Sequence, residues 1–223
     1  MASDKSASGA LATALRHVIW LGGAPDAGKT TLAHELARQH DLRFYIQDRH
    51  EMEHFARATE ERHPEIRAFW AMSIDERWVT RAPEEMAAQV VRSSAERFEL
   101  LVEDIMKESG DAPMLVEGPW LLPELVAPAL TDPHQALWLI PTPEFKDASA
   151  TKRDKPGVQH ETSDPDRATR NWRERDRLLA EHVRRSAVAL GLTLWEVDGS
   201  VSPEETVERA ERHFAPWLDH RVL

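Results

Sequence analysis

One short glycine-containing motif near the amino terminus constrains this chain more than any other feature. Residues 23–30 read Gly-Ala-Pro-Asp-Ala-Gly-Lys-Thr and match G-x-x-x-x-G-K-[ST] at each fixed position. Such a loop must follow a strand and begin a helix. Residues 18–21 form an apolar, β-rich run, and beyond the motif Leu32 and Leu36 recur at helical spacing. The sequence therefore predicts a P-loop that binds a nucleoside triphosphate; a glycine-rich turn without a nucleotide is the alternative.

The residue types of the motif explain how it would hold phosphate. Glycines allow successive backbone N–H groups to turn towards an anion, and the following helix adds its positive dipole end. We expect Lys29 to reach the β- and γ-phosphates of ATP and the Thr30 hydroxyl to bind Mg²⁺. The expected nucleotide-binding residues of the loop are Gly23, Ala24, Pro25, Asp26, Ala27, Gly28, Lys29, Thr30 and Thr31.

Length, charge and cysteine content exclude several classes of protein. The 223 residues suit one α/β domain, which we place at 17–223 after a flexible tail at 1–16 with helical structure expected near 11–16. The net charge of −11 argues against general binding to nucleic acid or to an anionic membrane surface. The chain has no cysteine, which excludes disulfides and thiolate metal sites. No apolar run approaches the roughly 20 residues of a membrane span, and the first residues do not resemble a signal peptide. We expect a cytoplasmic protein.

Strands and helices alternate along the chain, which predicts a parallel sheet covered on both faces. The predicted strands are 17–22, 42–47, 114–118, 136–140 and 192–197. The predicted helices are 29–40, 49–62, 64–72, 83–108, 123–130, 166–190 and 203–214. Residues 49–112 are too long for a simple crossover and predict a helical insert that binds substrate. Residues 144–166 are polar and predict a mobile loop.

Asp48 is the best candidate for a general base. It directly follows the second predicted strand, and ligands of open α/β sheets bind beyond the carboxyl ends of the strands. Phosphoryl transfer to a hydroxyl needs a carboxylate that orients the attacking oxygen and accepts its proton. The alternative is a helix N-cap, for which Asp is also suited. Arg49 is next to it and either contacts substrate or is an ordinary exposed charge.

Glu117 ends an apolar strand, where a carboxylate needs a partner. Its position is that of an acid that holds Mg²⁺ together with Thr30 or binds substrate; a structural ion pair is the alternative. Gly118 follows it and would leave space for a ligand.

The segment 146–185 carries a net positive charge, opposite to that of the whole chain, because it contains 11 Lys or Arg against 8 Asp or Glu. Five arginines of this segment fall within the first half of one predicted helix: Arg167, Arg170, Arg173, Arg175 and Arg177. Arginines that close over a triphosphate neutralise developing charge and exclude water. We therefore predict an Arg-rich lid at 144–178, in which Arg170 and Arg173 are catalytic and Arg167 contacts the nucleotide. The alternative is a solvated helix face with local ion pairs.

In the order of these features the chain resembles the P-loop kinases of the nucleoside and nucleotide kinase group. This group includes adenylate kinase, shikimate kinase and chloramphenicol-type phosphotransferases. The resemblance covers roughly residues 17–215, and only GGAPDAGKTT is sharply diagnostic. It implies a five-stranded parallel sheet in the order 2-3-1-4-5, a substrate lobe between strands two and three, and an Arg-rich lid after strand four.

The resemblance also implies roles for individual residues. Gly23, Gly28, Lys29, Thr30 and Thr31 match the phosphate-binding loop, Asp48 matches an acid that contacts the acceptor hydroxyl, and Arg167, Arg170 and Arg173 fall where lid arginines occur. The chain departs from the group after strand three, where Glu117-Gly118-Pro119-Trp120 replaces the D-G-x-P-R type of motif.

Together these features predict an ATP- and Mg²⁺-dependent kinase acting on a small molecule. A hydroxyl-bearing acceptor is at least as well supported as a monophosphate. A nucleotide switch acting through a protein partner and a polynucleotide-end kinase are the alternatives, although no N-K-x-D motif of a GTPase is present.

Overall fold

A computed structural model describes residues 9–108, 110, 112–152 and 157–218. Parts of three predictions fall elsewhere: the tail at 1–8, the lid at 153–156 and the end of the domain at 219–223.

The core of the protein is one sheet of five parallel strands in the order β2-β3-β1-β4-β5. The strands are β1 (Val18–Gly23), β2 (Arg43–Ile46), β3 (Met114–Glu117), β4 (Ala136–Pro141) and β5 (Leu194–Val197). The order that the resemblance implied is confirmed. Gly23 is essential at the end of β1, because it has φ 121° and a Cβ there would overlap the Leu139 carbonyl of β4.

Helices cover both faces of the sheet. They are α1 (Lys29–Gln39), α2 (Glu51–Arg57), α3 (Pro64–Ala71), α4 (Pro83–Lys107), α5 (Pro123–Val126), α6 (Pro143–Lys152), α7 (Pro165–Ala189) and α8 (Pro203–Leu218). Successive residues of β1 point to opposite faces. Val18 and Trp20 therefore join one core, with side chains of α4 and α7, while Ile19 and Leu21 join the other, with α1 and α8. No helix among the described residues has the length and apolar character that a membrane span requires.

The helical insert contains α2, α3, a π-helical turn (Glu76–Thr80) and α4. Its first helix is shorter than the predicted 49–62. A 3-10 turn (Gln47–His50) precedes α2, and a side-chain-closed turn follows it. In that turn the Arg62 amide donates to the Thr59 hydroxyl, and the Thr59 amide donates to the His63 ring. Such local bonds offer the backbone an alternative to the helix.

The prediction of a mobile loop at 144–166 is wrong, because parts of this segment are helical. Residues 143–152 form α6, and Val158–Glu161 forms a 3-10 turn. Pro143 at the first helical position and Glu144 in the first turn favour the helix start. Of the bulky apolar residues, the segment 143–152 contains only Phe145, so no apolar stripe revealed the helix in the sequence.

The described part of the predicted tail, residues 9–16, is packed on the domain rather than flexible, and it contains helix where we expected it near residues 11–16. Residues 9–14 are helical, and Leu15 is 0% exposed within the core beside Val18 and Trp20. The Gln135 side chain donates to the backbone carbonyls of Leu15 and Val18. This end of the chain is therefore part of the folded domain.

Leu15→Ala should lower the free energy of unfolding by about 2–5 kcal/mol, the usual cost of emptying a buried leucine site. Urea denaturation followed by circular dichroism measures the loss. Met106→Ala serves as the control, because Met106 is 57% exposed and also loses an apolar side chain. Equal stability of Leu15→Ala and the wild type would show that residues 9–16 do not contribute to the fold.

Candidate active site

The loop between β1 and α1 has the backbone geometry of an anion site. Asp26 (φ 66°) and Gly28 (φ 79°) adopt left-handed conformations that curl the loop. Gly28 is the N-cap of α1, no side chain caps it, and the first turn holds no acidic residue. The first N–H groups of α1 are therefore available to an anion, and the helix dipole favours negative charge there.

Lys29 is folded back across this loop. It is 6% exposed, and its Nζ donates to the Ala24 carbonyl at 2.7 Å. Burial lowers the pKa of Lys29, while the charges of Glu117, Asp48 and Asp26 oppose that shift. A phosphate would provide the buried ammonium with a stronger acceptor than a carbonyl.

The loop and the ends of β2 and β3 enclose a polar cavity of about 180 Å³. Its lining residues are Pro25, Asp26, Gly28, Lys29, Thr30, Thr31, Asp48, Glu117 and Pro119. The carboxyl ends of neighbouring parallel strands meet at one edge of the sheet, which brings Asp48 and Glu117 opposite the P-loop. The structure thus places the predicted base and the predicted metal ligands in one cavity.

Asp48 faces this cavity with an uncommitted carboxylate. Its side chain is open to solvent and makes no hydrogen bond with the described residues. The N-cap of α2 is His50, so the capping alternative for Asp48 is not supported. Surrounding protein raises the pKa of Asp48 by desolvation, and the charge of Lys29 opposes this shift. A carboxylate in this state is able to accept a proton from a ligand.

Glu117 and Thr30 form the second polar pair of the cavity. Glu117 is 4% exposed, and the Thr30 hydroxyl donates to its Oε2 at 3.2 Å. Burial raises the pKa of Glu117; the charge of Lys29 and the bond from Thr30 oppose the rise. Glu117 makes no ion pair with a described side chain. Hydroxyl and carboxylate oxygens are ligands that Mg²⁺ prefers, so the pair fits this ion.

Two neighbours of these residues differ from the sequence-based expectation. A Cβ on Gly118 would overlap the Gln47 side-chain amide, so Gln47 fills the space that we expected a ligand to use. Arg49 is exposed and does not line the cavity.

A second cavity of about 860 Å³ continues from the P-loop along α1. It shares Gly28 and Thr31 with the polar cavity and ends at the loop after β5. Its apolar lining comprises Ala27, Leu32, Leu139, Phe145, Val197, Val201, Pro203 and Val207. An apolar cleft beside a phosphate site is suited to the base of a nucleotide.

The predicted lid arginines lie outside both cavities. Arg167, Arg170 and Arg173 are exposed on α7, and none of them lines either cavity. Arg177 forms a local ion pair with Glu174 at 2.7 Å, as in the solvated-face alternative. The roles assigned to Arg167, Arg170 and Arg173 stay predictions.

The sequence analysis missed a buried arginine behind Asp48. Arg97 is 4% exposed, its Nη2 lies 3.0 Å from the Glu51 carboxylate, and its guanidinium lies 4.0 Å above the Trp120 ring. Burial lowers the pKa of Arg97, while Glu51 and Asp48 oppose the shift. In the sequence, the one sign of this residue was that an arginine falls on the inward face of a predicted helix.

The aromatic residues of the insert pack against one another and against α7. Trp78 is buried, and its ring stacks on Trp172 of α7 at 4.6 Å between centroids. Phe69 contacts Trp78 edge-on, and Phe55 contacts Trp70. These contacts join α2 to α3 and hold α3 and the π-helical turn against α7.

Neither the protein-family models nor the curated protein sequences give a match to this chain. Solved structures with similarity to it include a sugar kinase from Janibacter sp., 18% identical with TM-score 0.41, covering 92% of this chain and 95% of that one. Shikimate kinase from Acinetobacter baumannii, in complex with shikimate, is 18% identical with TM-score 0.44 and the same coverage. Shikimate kinase from Aquifex aeolicus is 18% identical with TM-score 0.45, covering 89% of this chain and 96% of that one.

Proposed function

We propose that this protein is an ATP- and Mg²⁺-dependent kinase that phosphorylates a hydroxyl group of a small molecule. The observation that carries the proposal is the uncommitted carboxylate of Asp48, which shares one cavity with Lys29 and Thr30 of the P-loop. A nucleotide-binding loop alone would be compatible with a switch protein. A carboxylate opposite the P-loop also supplies the base that phosphoryl transfer to a hydroxyl requires.

The nucleotide would occupy both cavities. Its phosphates would accept hydrogen bonds from the P-loop amides and from Lys29, and its base would lie in the apolar cavity lined by Phe145 and Val201. Thr30 and Glu117 would hold Mg²⁺, which neutralises charge on the β- and γ-phosphates. The acceptor would enter on the side of Asp48 and the helical insert.

Transfer would then be a direct in-line displacement. Asp48 orients the acceptor hydroxyl and accepts its proton as the oxygen forms a bond to the γ-phosphorus. The bond from the γ-phosphorus to the bridging oxygen breaks, and ADP leaves with that electron pair. Lys29 stabilises the charge that develops on the phosphates.

A screen for ATP-dependent phosphorylation tests the proposal. Nucleosides, sugars, hydroxy acids and aminoglycoside-like compounds are incubated with the protein, Mg²⁺ and ATP, and both ADP and the phosphorylated product are measured. We expect one of these classes to give stoichiometric product. ATP hydrolysis that only a protein partner stimulates would support a nucleotide switch instead, and transfer only to a polynucleotide end would support that alternative.

Glu117→Gln should raise the Mg²⁺ concentration required for half-maximal ATP binding about tenfold or more. The amide cannot neutralise the metal, while the shape of the side chain is kept. Calorimetric titrations of ATP at several Mg²⁺ concentrations measure the effect. The control is Glu99→Gln, because Glu99 is a partly exposed carboxylate that pairs with Arg62 in the insert. An unchanged Mg²⁺ requirement would remove Glu117 as a metal ligand.

A further inference from the structure

A buried arginine lies between the two turns that carry the acids of the candidate site. Arg97 of α4 is 4% exposed, and its Nη2 donates to the Glu51 carboxylate at 3.0 Å. Its guanidinium lies 4.0 Å from the centroid of the Trp120 ring. Glu51 begins α2 directly after the turn that contains Asp48, and Trp120 follows Glu117 of β3 by three residues. We call Glu51, Arg97 and Trp120 the Arg97 bridge.

One end of the Arg97 bridge is bonded to the backbone of the proposed base. The N–H of Glu51 donates to the carbonyl of Asp48, so the two residues belong to one helical turn. The carboxylate of Asp48, in contrast, lines the polar cavity and makes no hydrogen bond with the described residues. Fixing the Glu51 side chain therefore restrains the backbone from which the carboxylate of Asp48 projects.

The other end of the Arg97 bridge lies beside Glu117. Pro119 lines the polar cavity together with Glu117, and Trp120 is the next residue of the same turn. The guanidinium packs over the face of the indole ring, an attractive contact that orients both groups. Arg97 therefore joins the turn after β3 to the turn after β2 and to the helical insert.

The two turns also pack directly on each other. Ile46 at the end of β2 lies opposite Glu117 at the end of β3. The next residue, Gln47, is 0% exposed, and its side-chain amide packs against Gly118. Neither polar atom of this amide has a hydrogen-bond partner among the described residues. The ion pair of Arg97 thus supplies a directional contact that this packing lacks.

Stability alone is a weak explanation for the ion pair. Burial of the guanidinium costs desolvation free energy and lowers the pKa of Arg97, and its Nε makes no hydrogen bond with the described residues. Desolvation offsets much of the attraction in buried ion pairs, so that they contribute little net stability. A catalytic group, however, must be held within about 0.5 Å of its productive position, and a directional contact serves that purpose.

We propose that Arg97 is a positioning residue that holds the turn of Asp48 against the turn of Glu117, so that the base faces the P-loop. The inference rests on the proposed function, because it gives Arg97 a part in the same phosphoryl transfer. Arg97 acts through Glu51 and Trp120 and does not need to contact the acceptor. The alternatives are a direct contact with the acceptor and a purely structural link between the insert and the sheet.

Arg97→Gln should lower kcat about tenfold or more and leave the Mg·ATP affinity within about threefold of the wild type. The turn of Asp48 loses its restraint in this variant, whereas the P-loop is unchanged. Steady-state kinetics with the acceptor found by the screen and calorimetry with Mg·ATP measure the two quantities. Arg92→Gln is the matched control, because Arg92 is exposed on the same helix and pairs with Glu65 at 2.6 Å. Its kcat should stay within about twofold of the wild type.

The pH profile gives a readout that a merely structural link would not change. Charged or titratable groups face Asp48 from the neighbouring elements, and two more follow it in its own turn. They are Asp26 of the P-loop, Lys29 of α1, Glu51 of α2, Arg97 of α4, Glu117 of β3, Arg49 and His50. Lys29 and Arg97 lower the pKa of Asp48, while Glu51 raises it. Arg97→Gln should therefore move the acid limb of kcat/KM to higher pH by about half a unit or more, and the control variant should not move it.

The carboxyl resonance of Asp48 reports the same shift without any turnover. Titration of this resonance by NMR in the ligand-free protein should give a higher pKa in Arg97→Gln than in the wild type, and Asp48→Asn assigns the signal. If the wild type phosphorylates no acceptor, the proposed function fails, and this titration still decides the inference. An equal pKa in the variant and the wild type would overturn it.

Two kinetic outcomes would also overturn the proposal. A folded Arg97→Gln variant with the kcat and the acid limb of the wild type would leave only a structural link. A higher KM for the acceptor at unchanged kcat would make Arg97 an acceptor-binding residue. If Arg97→Gln does not fold, the double variant Glu51→Gln/Arg97→Gln decides, since it leaves no member of the pair buried with an unpaired charge. Its kcat should also lie about tenfold or more below that of the wild type.

Discussion

Lys29→Ala should lower kcat/KM for phosphoryl transfer about 10³-fold or more, since it removes the cation closest to the transferred group. The ammonium is buried and donates to the Ala24 carbonyl in the ligand-free protein, so it is already inside the loop that would hold the phosphates. Steady-state kinetics with the acceptor found by the screen measures the loss.

The fold should survive this change. Burial opposes the charged form of Lys29 and lowers its pKa, so alanine relieves a desolvation cost as well as removing one hydrogen bond. Circular dichroism and thermal unfolding check this point. Lys107→Ala, at the exposed end of α4, is the matched control and should retain full activity. Turnover of Lys29→Ala within tenfold of the wild type would contradict the proposed site.

Asp48→Asn should lower kcat about 10²- to 10⁴-fold, the range that general-base catalysis contributes. The amide keeps the shape of the side chain but cannot accept the proton of the acceptor hydroxyl. Because Asp48 makes no hydrogen bond with the described residues, its replacement should leave the nucleotide cavity intact. Calorimetry should therefore give a Mg·ATP affinity within a few-fold of the wild type.

The pH dependence identifies the same group independently. Desolvation by the surrounding protein raises the pKa of Asp48 above its ordinary value of 3.8, although the side chain is open to solvent, and a base works only when it is deprotonated. The kcat/KM of the wild type should therefore fall as the pH drops through this raised pKa, and the acid limb should disappear in Asp48→Asn. Asp41→Asn is the control, since Asp41 is exposed and its φ of 50° is tolerated by asparagine. Full turnover of Asp48→Asn would remove Asp48 as the base.

The P-loop and the two acids were predictable because they depend on short-range order. A strand, a glycine-containing loop and a helix follow one another within residues 18–39, and their spacing alone fixes where Lys29 and Thr30 lie. Glu117 ends β3 and Asp48 follows the end of β2 by two residues, and the rule for parallel sheets brings strand ends together. Only the structure could decide whether Asp48 is a helix N-cap, since this depends on which residue begins α2.

Other features had only weak or misleading indications in the sequence. Leu15 belongs to a stretch, residues 9–16, in which Leu11 and Leu15 are the only bulky apolar residues, and only the core of the folded protein shows that Leu15 is buried. The helix α6 lacks an apolar stripe, and Gly118 offers no space because Gln47 of another segment occupies it. In each case the deciding contact is made by residues far away in sequence.

The sequence by itself determined the P-loop motif, the alternation of strands and helices, and the acids that follow β2 and β3, because each depends on residues that are close together in the chain. Only the tertiary structure decided which charged and aromatic side chains of α6, α7 and the insert contact one another. Lys146 and Asp176 are 30 positions apart, and Trp78 and Trp172 belong to the insert and to α7. Their contacts depend on how whole helices are oriented against each other, and a charge pattern along one helix does not specify that orientation.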